Sequence, residues 1–341
     1  MGVLPFKSVQ VGVEAANGNA VPADTILLCE STFPTADREV HIPQVDTGVR
    51  TPGLLAAAVV RRAHGTGMTI ADADGAYFQL FPLLFSCCLT GAVVAVEQNT
   101  GEGDYLWTFA APQTGAEDID TMTVELSDDV GCNEIAYVLI ESLTITGDCV
   151  SGEVHVTAAC AGNEGIQTTK TPALSLPTAE LCVGRLSRIY ADATWAALGT
   201  NELEDSLVNW SVTINGGAHH KNWGGTVRHP SGHNQGYITG EAVFTFERNA
   251  ATYAEEAYYR AGADTYTQTE RFIEVAVAGT QIGSGDTHSL VLDMAGLWTD
   301  WSSFGAEENM NTLDVATLSF GYDGTGAQSF QALVTTDHNA I

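Results

Sequence analysis

Val138–Ala161 reads VLIESLTITGDCVSGEVHVTAACA. Leu143 and Ile145 alternate with Ser142, Thr144 and Thr146; after a Gly-Asp turn, Val154, Val156 and Ala158 alternate with Glu153, His155 and Thr157. In an extended chain successive side chains point to opposite faces, so this pattern predicts an antiparallel hairpin with one face buried. The chain ends on a similar stretch, Thr312–Thr335. There Leu313, Val315 and Leu318 lead into Phe320, Asp323-Gly324-Thr325-Gly326 makes a turn, and Phe330–Val334 reads as the returning strand.

Working outward from the two hairpins gives matching element orders. The first half offers a strand from 66, a helix from 76, strands from 105 and 122, and the hairpin from 138; the second offers the same types from 237, 250, 272, 289 and 312. The offsets stay between 167 and 174 residues, near half of the 341-residue chain. A repeat of that period predicts two domains of one architecture, with Gly162–Pro177, rich in Thr, Gly and Pro, as the linker. A local likeness between 142–147 (SLTITG) and 211–216 (SVTING) cuts across that order, because it sets a late hairpin against an early one.

Several elements follow from local chemistry. Asp74 is a candidate cap for a helix running from Gly75 or Ala76 towards Cys88, kinked or shortened by Pro82. Asn249 is a candidate cap for a helix over 250–261. Ala76–Val96 carries no charge, but Gln79, Pro82 and Gly91 interrupt it and acids flank it, so it is read as a buried helix and strand rather than a membrane span. Phe33–Asp46 is read as an extended arm, and Leu54–Arg62 with Thr66–Ile70 as a long hairpin.

The composition narrows function. Hydrophobic residues make up 45%, enough for packed cores, and Gly, Ala, Thr and Val are abundant. Acids number 42 against 13 basic residues, a net charge of −29, and the only lysines are Lys7, Lys170 and Lys221. Such a chain does not hold DNA by neutralising phosphates. Its acidity suits a halophilic host, or equally a conduit to which DNA does not stick. The seven Cys form no CxxC pair and are expected as free, buried thiols. The first ten residues contain no signal-peptide apolar core.

Catalytic signatures are absent: GxSxG, HExxH, GxxxxGK[ST] and a strand-to-helix GxGxxG do not occur. The acid pairs Asp118/Asp120 and Asp128/Asp129 fall in polar loops of a very acidic chain. Asp72-Ala73-Asp74-Gly75 fails the calcium-loop register. His219, His220, His229 and His233 offer metal-ligating nitrogens in a Gly-rich segment, Gly216–Gly236, whose plainer reading is a polar loop that orders against a partner. Arg61-Arg62 with His64 is the one basic cluster, read as a salt-bridged loop. Trp298, Trp301 and Phe304, in GLWTDWSSFG, are candidates for core packing, a domain seam or a subunit interface.

One family resemblance emerges. Val11-Gly12-Val13-Glu14, a Gly18-Asn19 turn, then Ala20-Val21-Pro22-Ala23-Asp24-Thr25 and an apolar strand resembles the opening of tail tube proteins of long-tailed, non-contractile (siphovirus-type) viruses. The double-domain branch is similar across essentially the whole chain. The sequence departs from it in acidity and cysteine count, which bear on the host rather than the fold.

The resemblance implies a mainly β fold: two tandem tail-tube-like β-sandwich or barrel domains, at 1–175 and 176–341, each with one flanking helix and a long hairpin loop. It also implies a structural virion protein without enzymatic activity or cofactor, made in the host cytoplasm and carried in the tail. Three chains would form a pseudo-hexameric ring, and stacked rings would line a channel for double-stranded DNA. Tape measure, tail completion and tail tip proteins would be further partners, and no membrane insertion is implied. Loops reaching the next ring would include Gly216, His219, His220, Trp223, His229 and His233, and Leu54, Arg61 and Arg62 in the other copy. The competing readings are an acidic β-sandwich adhesin or binding module and, for the His-rich loop alone, an enzyme.

Overall fold

A computed structural model describes residues 7–31, 35–36, 40–41, 59–60, 66–113, 119–150, 152–222, 230–260, 268–308 and 311–341. The protein is mainly β. Strands up to residue 168 are β1 (Ser8–Val13), β2 (Thr25–Leu27), β3 (Cys29–Ser31), β4 (Thr35–Ala36), β5 (Val40–His41), β6 (Val59–Val60), β7 (Thr66–Asp72), β8 (Val96–Glu97), β9 (Tyr105–Ala110), β10 (Met122–Ser127), β11 (Cys132–Asp148), β12 (Val154–Gly162) and β13 (Ile166–Thr168). Beyond them come β14 (Ser187–Asp192), β15 (Leu207–Asn215), β16 (Ala218–Lys221), β17 (Gly232–Gln235), β18 (Thr239–Glu247), β19 (Arg271–Gln281), β20 (Thr287–Glu308), β21 (Asn311–Phe320) and β22 (Phe330–Thr336). The helices are α1 (Phe81–Cys88) and α2 (Ala250–Arg260).

The 138–161 hairpin forms as its alternation requires. Leu143 faces Ala158 and Ile145 faces Val156, all buried, while Thr144 and Thr157 face outward. β11 is longer than this hairpin. Its first part is bonded to β10 and β13, and its second part to β12 and β15. β20 behaves alike: 289–294 lie between β19 and β22, whereas 296–308 pair with β21.

One run of antiparallel neighbours therefore crosses the whole chain: β3 and β4, then β7, β12, β11, β15, β18, β21 and β20. Two shorter runs branch from it, β2-β1-β10-β11-β13 and β14-β19-β20-β22-β9-β8. Strands on either side of residue 175 are bonded at β11–β15 and β9–β22. One buried cluster draws on both sides of residue 175, taking in Phe85, Ile145, Val212, Phe244 and Phe330.

The outward face of the long run carries hydroxyls beside exposed acids such as Glu241, which opposes Thr213. Thr144 opposes Thr157 on one side and Thr213 on the other, and its Oγ1 lies 3.1 Å from that of Thr213. The adjoining row passes from His155 through Thr146, Ser211 and Val243 to Thr317.

Some expectations need correction. Thr312–Thr335 is no hairpin of two mutually facing strands: the turn is closed by an Asp323–Gln328 bridge, but β21 and β22 lie against opposite parts of β20. Apolar alternation marks a buried face and does not say which neighbour shares it. Asp74 caps nothing. A 3-10 turn at Phe78–Leu80 precedes α1, neither carries a side-chain cap, and Pro82 sits in the first turn of α1, where its missing N–H costs no bond. The linker stretch contains β13. The segment 216–236 contains β16 and β17, paired from Ala218–Gln235 to Lys221–Gly232. By contrast Asn249 does cap α2, accepting from the amides of Ala251 (2.8 Å) and Thr252 (3.0 Å).

The bend in β11 falls where Tyr137 adopts a positive φ of 58°. A buried carboxylate fixes it. Glu14 accepts from the Tyr137 amide (2.7 Å), the Thr121 and Thr123 hydroxyls (2.7 and 2.9 Å) and the Gly18 amide (2.6 Å). Replacing Glu14 with Ala leaves those donors unsatisfied, so Glu14→Ala is expected to lower unfolding free energy by about 3 kcal/mol in urea titrations.

Candidate functional site

Two surfaces carry the residues singled out by sequence. The first is the root of the β16–β17 hairpin. Gly216 begins it because only glycine fits: a Cβ there would collide with the Cys88 carbonyl oxygen at the end of α1. Gln235 donates to the Leu89 carbonyl (2.8 Å), tying the other arm to the same helix end.

Tyr137 is the platform beneath. His220 and His233 are paired neighbours. The His220 ring lies 4.9 Å from the Tyr137 ring, and its Nε2 is 3.0 Å from the Tyr137 carbonyl oxygen. The His233 ring stands edge-on at 5.8 Å, with Nδ1 3.0 Å from the Tyr137 hydroxyl. Burial holds the His220 imidazolium below its ordinary pKa, and the neighbouring His233 and His219 add to that. His219 points to solvent, with Nδ1 3.1 Å from the Gly217 carbonyl oxygen. The histidines thus anchor a hairpin; among the described residues no three His, Cys, Asp or Glu side chains are placed to share a metal ion. Trp223 and His229, and likewise Leu54, Arg61 and Arg62, lie outside the described residues.

The second surface is formed by α2 and the last part of β20. Trp298 and Trp301 are buried and packed edge to face at 5.1 Å, so they belong to the core, one of the readings open for them. The Trp298 indole N–H donates to Glu255 (2.9 Å), which also receives a two-pronged bond from Arg271 (2.7 Å each). Arg248 bridges Asp314 (2.7 Å) and Glu256 (3.0 Å). Phe304 alone of the three aromatics is exposed, at 67%, with the Arg248 guanidinium 4.8 Å from its ring.

A feature that no motif announced lies on the second half's shorter run. Glu274 and Asp293 face each other directly across β19 and β20. Asp293 is buried, one of its carboxyl oxygens has no hydrogen-bond partner, and Gln331 is its neighbour on β22. Burial, then the Glu274 charge, pushes Asp293 up to about 7; burial, then the Asp192 charge, raises Glu274. Asp192 itself is satisfied by the Thr200 hydroxyl (2.7 Å) and the Asn201 amide. A second directly opposed acid pair lies across β10 and β11, Glu125 and Glu134. There Glu125 receives the Thr171 amide and hydroxyl (2.7 and 2.6 Å), while burial and Glu125 raise Glu134.

All seven cysteines are free. Burial pushes their thiols up, to about 11 for Cys132 and Cys149 and about 12 for Cys29 and Cys88, which makes them inert rather than nucleophilic. No protein-family model matches this chain, and no curated protein matches it in sequence.

Two outcomes follow from this geometry. Tyr137→Phe removes the hydroxyl that meets His233, and is expected to cost about 1 kcal/mol and to speed amide exchange in β16 and β17. For Asp293 the folded pKa lies above the unfolded one, so the stabilisation is complete below the ordinary aspartate range and is lost as pH rises through about 7. Urea midpoints at about pH 5 and about pH 8 should therefore fall for the wild type and change far less for Asp293→Asn.

Proposed function

We propose that this chain is a tail tube subunit of a long-tailed, non-contractile virus, built as two copies of one unit that assemble in threes into stacked rings. The observation that carries the reading is the run of strands through both halves. It is continuous across β11–β15, and among the described residues its two ends, β3–β4 and the 297–308 part of β20, are each bonded on one side only. Open edges invite pairing with another chain, and closing the run into a ring removes them.

The pairing within each half supports the duplication. A bent strand (β11, β20) is bonded before its bend to the strand that precedes it (β10, β19) and to a later one (β13, β22). After the bend it pairs with the strand that follows it (β12, β21), which pairs with the strand before the helix (β7, β18), which in turn pairs with β3–β4 or β15. This matching is displaced by one strand from the order expected of the sequence, because the counterpart of the 138–161 hairpin is β20–β21 and not the closing stretch. The pairing of β11 with β15 also explains the likeness of 142–147 to 211–216: they are neighbours, not counterparts.

On this reading the partners are further copies of the chain, the proteins at either end of the tail, and double-stranded DNA that passes without being read. The net charge of −29 favours passage over retention. The deciding experiment is electron microscopy of the purified protein in dilute and in molar salt. Rings or tubes with threefold averages are expected. Dispersed particles in both conditions would overturn the proposal in favour of a binding module.

A further inference from the structure

Each half packs a helix beside its bent strand, and the two helices have opposite surroundings. α1 is buried at every position, closed over by the second half. Phe85 lies 6.4 Å from Phe330, and the Cys88 and Leu89 carbonyls abut Gly216 and Gln235. The part of β11 after its bend is likewise bonded to β15 on its far side. In the second half α2 and the end of β20 take the corresponding places, and among the described residues no strand is bonded to the far side of 297–308.

What they present instead is aromatic and fixed. Tyr253 is 64% and Phe304 67% exposed, with Tyr258 and Leu297 also reaching solvent. The Arg248 guanidinium, itself held by Asp314 and Glu256, lies 5.2 Å from the Tyr253 ring and 4.8 Å from that of Phe304. Arg271 lies 3.9 Å from the Tyr258 ring. Phe304 has a positive φ of 60°, at an irregularity in β20, and its amide donates to Asp314 (3.1 Å). Aromatic side chains already ordered by such contacts lose little entropy when covered, as the anchors of protein interfaces do.

We infer that α2, Phe304 and the adjoining edge of β20 form the seat for the β3–β4 end of a second copy of this chain, repeating between chains the seam that α1, β11 and β15 make within one. β3 and β4 fit the role, because they pair with β7 as β15 pairs with β18, and no strand among the described residues covers their other side. The contact is heterologous: one end of the run meets the opposite end of the next copy. The inference rests on the self-assembly reading above and adds to it which surfaces meet.

The test places the photoreactive p-benzoylphenylalanine at position 304 of the full chain, irradiates it in assembling salt and maps the products by mass spectrometry. Intermolecular links to β3 and β4 are expected. Phe304→Asp should keep the circular dichroism and melting temperature of the wild type and weaken self-association at least about tenfold. Tubes whose links map elsewhere, or tubes that form unchanged from Phe304→Asp, overturn the seat and leave the tube reading standing. Links to β3 and β4 in open oligomers that never form rings support the seat and overturn the tube. A chain that stays monomeric in dilute and molar salt overturns both.

Discussion

A buried strand must satisfy its backbone on both edges, and β11 does so with partners from both sides of residue 175. Before its bend it belongs with β10; after it, with β12 and β15. The bend needs a residue in a strained conformation, Tyr137, and a buried acid, Glu14, to hold that residue's amide. The same tyrosine then carries the root of the β16–β17 hairpin. Position, strain and hairpin thus descend from one requirement on one strand.

The chain also shows how an acidic protein buries carboxylates with few cations to spare. Glu14, Glu125 and Asp192 are met by amides and hydroxyls. Asp72 binds the Gly75 and Val156 amides (2.8 and 2.6 Å) and thereby clamps a turn to β12. Charged pairs concentrate at α2, where Arg248, Arg260 and Arg271 meet Glu255, Glu256 and Asp314. Neutral donors compensate a buried charge without adding a second desolvation penalty. Where even these are missing, at Glu274 and Asp293, a raised pKa lets a proton take their place.

Much of this was legible in the sequence, and the failures have physical causes. Period-two alternation located the 138–161 hairpin, β15 and β18, because one face of each is buried. It saw only 289–294 of β20, since the pattern breaks where the strand passes from one set of neighbours to another near Gly296. GLWTDWSSFG looked polar because its tryptophans point inward between exposed residues on an edge. The 216–236 segment looked structureless because its glycines and histidines carry no apolar period, although its strands are held by Tyr137 and by the end of α1. The opposed acid pairs were invisible, since register is a property of two strands at once.

The hydroxyl rows on the outward face of the long run carry a last consequence. Threonine and serine hold water through neutral dipoles and recruit no ion atmosphere. The Thr157, Thr144 and Thr213 stretch therefore wets a surface without charging it, up to the exposed Glu241 that lies opposite Thr213 on β18. A carboxylate wall repels a polyanion over a distance set by the Debye length, strongly in dilute solution and hardly at all in brine. The hydroxyl stretch has no such dependence, whereas the Glu241 carboxylate at its end does, so salt-insensitive and salt-sensitive surface lie side by side along one row.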